Sequence, residues 1–227
     1  MPRTGTETRV VVFAKAPEPG AVKTRLIPPL DAEGAAALHA RLMERVMATA
    51  CTAAVGTVVI ACTPGTDHPF FRYCGARYGA ALEPQGEGDL GARMLTVTRR
   101  ALAASTAVIL IGCDCPALTP EHLRAAARAL RQGQDAVVAP AEDGGYVLIG
   151  LARTDGALFH DIPWGGAQVM ADTRRRLDAL GWRWSELDTL WDVDRPQDYE
   201  RLVVSGMLDA HQATAEERLK KPNWPAE

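Results

Sequence analysis

The 227-residue chain carries 25 lysines and arginines against 28 aspartates and glutamates, a formal net charge of −3, and is 47% hydrophobic. That composition suits one domain with a sizeable core and gives no general attraction to nucleic acid or an anionic membrane, so any basic site is local. No apolar run approaches bilayer length and the first residues lack a secretory hydrophobic segment, so the expectation is a cytoplasmic protein with neither membrane nor nucleic acid as partner.

The five cysteines, Cys51, Cys62, Cys74, Cys113 and Cys115, are odd in number and lack the repeated CxxC spacing of a structural zinc site. Reduced, mainly buried thiols are expected. The sequence contains no HExxH, and none of its three serines sits in GxSxG, which weakens zinc-enzyme and hydrolase readings.

Apolar runs alternate with segments of helical period, the pattern of an α/β fold with a mainly parallel sheet and helices on its faces. Arg9 to Ala14 reads as the first strand. Asp31 then caps a helix with Leu38, Leu42 and Val46 on one stripe, reinforced by Met43 and Met47. Thr57 to Cys62 is the second strand, followed by a less regular stretch that includes His68 to Tyr78 and a short strand at Ala81 to Pro84. "QGEGDLGARML" opens a helix with Leu90, Met94, Val97 and Ala101 on one face.

Ala107 to Gly112 is the most apolar strand and belongs at the centre of the sheet. Thr119 and Pro120 start the next helix, and Gly133 fits its end. Strands follow at Ala136 to Ala139 and Tyr146 to Leu151, then a helix over residues 167–180; "DVDRPQDYERL" turns from a strand end into a helix through Pro196. No repeat or linker divides the chain. The expected domain runs over residues 9–206, with 207–227 a peripheral C-terminal helix and tail.

Two stretches carry chemistry. "KAPEPGAVKTRL" holds Lys15, Lys23 and Arg25 in a chain with only four lysines against twenty-one arginines. Lysine offers a compact charge and arginine a planar fork, so a strand-to-helix loop with both suits a polyphosphate, and Gly20 lets the backbone come close. The same charges also suit a solvated turn. Neither a Walker A motif nor GxGxxG is present.

The second stretch is "ILIGCDCPALTP", where an apolar strand ends on Asp114 at the edge at which open α/β sheets bind ligands. Magnesium favours a few carboxylates completed by water and phosphate oxygens, and "LWDVDRPQDY" supplies Asp192 and Asp194, two apart and able to point to one side of an extended segment. Each of these aspartates is also a possible cap for the element after it. Asp198 reads as a residue favouring the positive end of its helix.

Taken together, "KAPEPGAVKTRL", "QGEGDLGARM", "GCDCPALTPEHL", "EDGGYVLIGL", "IPWGG" and "DVDRPQDYERL" resemble the GT-A-type nucleotide-diphospho-sugar transferases, including those of arsenosugar biosynthesis, over about Arg9 to Leu202. Parts are also similar to 2-phospholactate guanylyltransferase and, more distantly, to molybdenum-cofactor nucleotidyltransferases. The resemblance implies a single-domain, Rossmann-like α/β/α sandwich that binds a nucleotide and a magnesium or manganese ion.

Carried over by position, the resemblance puts the nucleotide on Ala14, Lys15, Gly20, Lys23 and Arg25 and on Gln85, Gly86, Asp89, Gly91 and Arg93. The metal falls to Asp114, Asp192 and Asp194. The acceptor or sugar side falls to Asp143, Gly144, Gly145 and Trp164. Asp114 is followed by Cys115, so the strict DxD of many glycosyltransferases is incomplete and the metal relies on the distant pair. From residues alone, Asp89 is equally a helix cap, DGG before a strand is merely a hairpin turn, and Trp164 is equally a packed loop residue.

The implied reaction is glycosyl transfer to a small-molecule acceptor, with Lys23, Arg25, Asp114 and Asp143 as the catalytic set. The ion, Lys23 and Arg25 would stabilise the departing diphosphate, and Asp143 would bind the acceptor or act as base. Nucleotidyl transfer from a nucleoside triphosphate to a small phosphorylated acceptor, and non-catalytic nucleotide sensing, are the alternatives.

Overall fold

In the computed structural model, which describes residues 8–208, the six strands given ranges in the sequence form, whereas the strand end expected at "DVDRPQDYERL" is reduced to an isolated bridge at Leu190. The strands are β1 (Thr8–Lys15), β2 (Gly56–Thr63), β3 (Ala81–Pro84), β4 (Ala107–Ile111), β5 (Ala136–Pro140), β6 (Tyr146–Leu151) and β7 (Trp184–Glu186). The helices are α1 (Ala32–Ala53), α2 (Pro69–Tyr78), α3 (Leu90–Ala104), α4 (Pro120–Arg131), α5 (Val169–Ala179) and α6 (Pro196–Ser205).

The seven strands form one sheet in the order β3-β2-β1-β4-β6-β5-β7. β4 is central and all five of its residues are buried. Only β6 runs against the others, pairing antiparallel with both β4 and β5. The carboxyl ends of β1, β2, β3, β4 and β5 therefore share one edge, and the β5–β6 turn lies there too.

Alternation along β1 sends side chains to two helical layers. Val10, Val12 and Ala14 join a core with Met43 and Met47 of α1, Phe70 of α2 and Leu123 of α4. Val11 faces Val97 of α3 and Leu177 of α5. Burial on both faces explains why the central strands read as continuous apolar runs. A third, smaller cluster joins Leu26, Leu38, Leu42, Trp191, Val193 and Leu202, fastening the first loop to α1, the late acidic segment and α6.

Local chemistry sets the helix starts. The Asp31 carboxylate accepts the Gly34 amide at 2.7 Å, and Asp89 accepts that of Ala92 at 2.8 Å. The Thr119 amide donates to His122 Nδ1 at 3.0 Å, and Pro120 occupies the first turn of α4.

Two elements differ from expectation. His68 to Tyr78, read as irregular, contains α2: His68 Nδ1 accepts the Phe70 amide, Pro69 fixes the first turn, and Phe70, Phe71 and Cys74 bury one face. β7 is a three-residue edge strand, too short to show periodicity. The expected C-terminal helix falls almost wholly on residues 209–227, outside the described residues.

The cysteines are unpaired thiols, and burial pushes Cys62, Cys74 and Cys115 up to about 12. Cys113 is raised as well, first by burial.

Candidate active site

Backbone pairing delivers the distant acids to the end of β4. Ala141, just after β5, bridges Leu190 in parallel, and the Glu142 amide donates to Leu190 O at 2.9 Å. The Val193 amide then donates to Asp114 O at 2.9 Å. The chain carrying Asp192 and Asp194 is thus laid beside Asp114, while Asp143 arrives from the β5–β6 turn.

The first loop meets them there. Lys23, with only 4% of its side chain exposed, places Nζ 2.6 Å from Asp114 Oδ1 and donates to Val193 O at 2.5 Å. Lys23 adopts a left-handed backbone with φ 51° at the start of a 3-10 turn over Thr24–Leu26, which aims its side chain inward. Arg25 remains largely exposed and pairs with Asp194. Lys15 is exposed too, and its ammonium donates to Ala21 O at 2.8 Å, drawing the loop back toward the strand end.

Asp114 presents two different faces. Oδ1 is buried against Lys23, yet the side chain as a whole is 46% exposed. Burial alone would disfavour the carboxylate and raise its pKa. The Lys23 ammonium and then the His39 ring outweigh burial and hold the carboxyl well below the usual range.

His39 had no place in the sequence reading. Its Nδ1 stands 3.7 Å from Asp114 Oδ1, beyond a normal hydrogen bond, and its Nε2 lies 3.0 Å from Lys15 O. One signal was available: a histidine four residues before Met43 on an otherwise apolar stripe of α1.

Asp192 shows how close the acids stand. Its carboxyl is pushed up to about 6, first by burial, then by Asp143 and Asp114, with Lys23 opposing. Asp192 thus feels the charges of Asp143 and Asp114, and its carboxyl and that of Asp114 are the candidates to hold a divalent cation. Among the described residues no group of three or more His, Cys, Asp or Glu is placed to hold a metal ion, so Asp114, Asp192 and Asp194 do not come together as the expected trio. Asp194 is committed to Arg25, and Asp198 accepts the amides of Asp194 and Arg195, the helix-start role expected of it.

The second nucleotide segment is used heavily by the fold. Gln85 is buried; its Nε2 donates to Ala14 O and Ala61 O, and its Oε1 accepts from Arg93 at 3.0 Å. Asp89 caps α3, and Gly86 has φ +91°. Gly91 makes room for the neighbouring loop, since a Cβ there would lie 2.3 Å from Phe159 O and 2.6 Å from Trp164 Nε1.

On the acceptor side, the Gly145 amide donates to Asp143 Oδ1 at 2.8 Å and turns the chain into β6. Gly144, with φ +92°, passes so close to the next loop that a Cβ would lie 2.1 Å from Ala167 O. Trp164 meets Tyr146 edge-on, with centroids 6.3 Å apart, beside a pocket that also reaches Asp143.

A nucleotidyl- and sugar-transferase type of α/β fold, with cations from its first loop and acids from two remote segments at the strand ends, is the class this architecture defines. The chain belongs to the family described as an uncharacterized protein conserved in bacteria (DUF2064), whose model matches residues 46–166. It is similar to a crystal structure from Desulfovibrio desulfuricans G20, provisionally described as a nucleotide-diphospho-sugar transferase, at 27% identity and TM-score 0.81 over 93% of this chain and 98% of that one.

Two more distant likenesses show the fold alone. The CMP:2-keto-3-deoxy-manno-octonic acid synthetase complexed with CTP is 14% identical, with TM-score 0.58 over 90% of this chain and all of that one. Glucosyl-3-phosphoglycerate synthase from Mycobacterium tuberculosis, in complex with Mn2+, UDP and glucosyl-3-phosphoglycerate, is 16% identical, with TM-score 0.51 over 97% of this chain and 82% of that one. Among curated proteins, none matches the sequence. No helix among the described residues is long and apolar enough to cross a membrane.

Proposed function

We propose that this protein is a metal-dependent glycosyltransferase that uses a nucleotide-diphospho-sugar donor. The observation that carries the reading is the meeting of Lys23, Asp114, Asp143 and Asp192 at one end of β4, supported by the 27% identity to the Desulfovibrio structure. A divalent ion, magnesium or manganese, would be held by Asp114 and Asp192 and would supply charge neutralisation for the departing diphosphate. Lys23 keeps Asp114 ionised and fixed in place. Arg25 on the loop and Lys15 at the end of β1 are the exposed cations that would meet phosphate oxygens, Arg25 by exchanging Asp194, and Lys15 the Ala21 carbonyl, for the ligand.

Gln85 and Arg93 shape the wall on which base and ribose rest, acting through the backbone they hold. Asp143 orients the acceptor or accepts its proton, and Gly144 and Gly145 set its approach. Nucleotidyl transfer is the second reading, because cations on the first loop and acids at the strand ends suit a nucleoside triphosphate equally well. Product analysis separates the two: nucleotide sugars and nucleoside triphosphates are supplied with an acceptor panel and magnesium. A nucleoside diphosphate released together with a glycosylated acceptor supports glycosyl transfer; pyrophosphate release replaces it with nucleotidyl transfer.

A further inference from the structure

Beside the acidic edge lies a pocket of about 200 Å³ between the end of β4, the start of β6, α3 and the loop before α5. Leu90, Met94, Tyr146, Trp164 and Val169 form much of its wall, and Asp143 is the sole charged residue lining it. The Tyr146 hydroxyl is turned aside toward Met94 Sδ at 3.7 Å, and the Trp164 Nε1 is buried beside Gly91 without a hydrogen-bond partner. An engineered apolar cavity of about 150 Å³ binds benzene, so this volume takes one compact ring or a short branched chain.

We propose that the pocket is an acceptor subsite for a neutral or cationic molecule with a compact apolar body and a hydroxyl or amine presented to Asp143. This rests on the transferase reading and narrows it: the acceptor is not a phosphate ester. A phosphorylated acceptor seated here would bring its dianion to the Asp143 carboxylate with no arginine or lysine on the pocket wall to neutralise it. An apolar body instead gains from leaving water, and a hydroxyl or ammonium gains a charge-assisted hydrogen bond from Asp143.

The test uses three probes that share a ring and differ in charge: benzyl alcohol, benzylamine and phenyl phosphate, titrated into the full chain by ligand-observed NMR. Binding of the first two at least tenfold tighter than phenyl phosphate, and its loss in a folded Leu90→Trp variant, supports the subsite. Leu90→Arg adds a cation to the wall and should raise phenyl phosphate affinity at least tenfold. Equal or tighter binding of phenyl phosphate by the wild type, or no binding of any ring probe, overturns the proposal. Nucleotide binding is read separately: ring probes bound by a protein that takes no nucleotide at any magnesium concentration would uphold the pocket's ligand class and refute the transferase reading.

Discussion

Lys23 Nζ and Asp114 Oδ1 stand 2.6 Å apart, joining the loop after β1 to the end of β4 through a lysine that is almost wholly buried. The left-handed backbone of Lys23 costs on the order of 1 kcal/mol, which the ion pair and the bond to Val193 O offset. Lys23→Met leaves Asp114 Oδ1 buried without its counter-charge. Because the rest of Asp114 is open to water, the expected loss is about 1–3 kcal/mol, less than for a fully buried pair. In urea denaturation, Asp114→Asn on that background should recover part of the loss; strict additivity would mean that the two residues are not coupled.

Arg25 is the contrasting cation. Its pair with Asp194 is exposed, so Arg25→Ala should change stability by less than about 1 kcal/mol. Affinity for nucleoside diphosphates, measured against the parent nucleosides, should nevertheless fall about tenfold, the size expected for one lost charge-assisted contact. An unchanged ratio would take Arg25 out of the phosphate site.

Asp192 predicts an unusual pH response in the ion-free protein. Its folded carboxyl titrates near 6, above the ordinary aspartate value of 3.8, so between those values the folded state holds a proton that the unfolded state releases. Stability from this group is therefore fully present below the unfolded value and declines as pH rises toward 6. Asp192→Asn should flatten that part of the stability profile. A profile identical to wild type would place Asp192 away from Asp143 and Asp114.

Gly144 tests the acceptor turn. With φ +92° and no space for a Cβ beside Ala167 O, Gly144→Ala should destabilise by about 2–4 kcal/mol in thermal or chemical denaturation. A neutral substitution would show that the turn readily moves away from that loop.

The sheet and most helices were legible because both-face burial makes continuous apolar runs and because Asp31, Asp89 and Thr119 mark helix starts. α2 escaped because glycine and aromatics obscure a helix whose buried face is only Phe70, Phe71 and Cys74. At the site, the strand-end position of Asp114 and the cation bias of the first loop were readable. What each side chain touches was not: Gln85 turns inward to the carbonyls of Ala14 and Ala61, Asp194 is taken by Arg25, and His39 reaches Asp114 from a helix stripe that reads as core. The last two outcomes join segments that the third cluster also holds, with Leu26, Leu38 and Val193 from three remote stretches packed together.

Calorimetric titration of nucleoside diphosphates into wild type and Asp114→Asn, with and without magnesium, bears most directly on whether cation loop and acids form one nucleotide–metal site. Magnesium should tighten binding to wild type at least tenfold and have no effect on a folded Asp114→Asn variant. Equal, magnesium-independent binding by both proteins would contradict it.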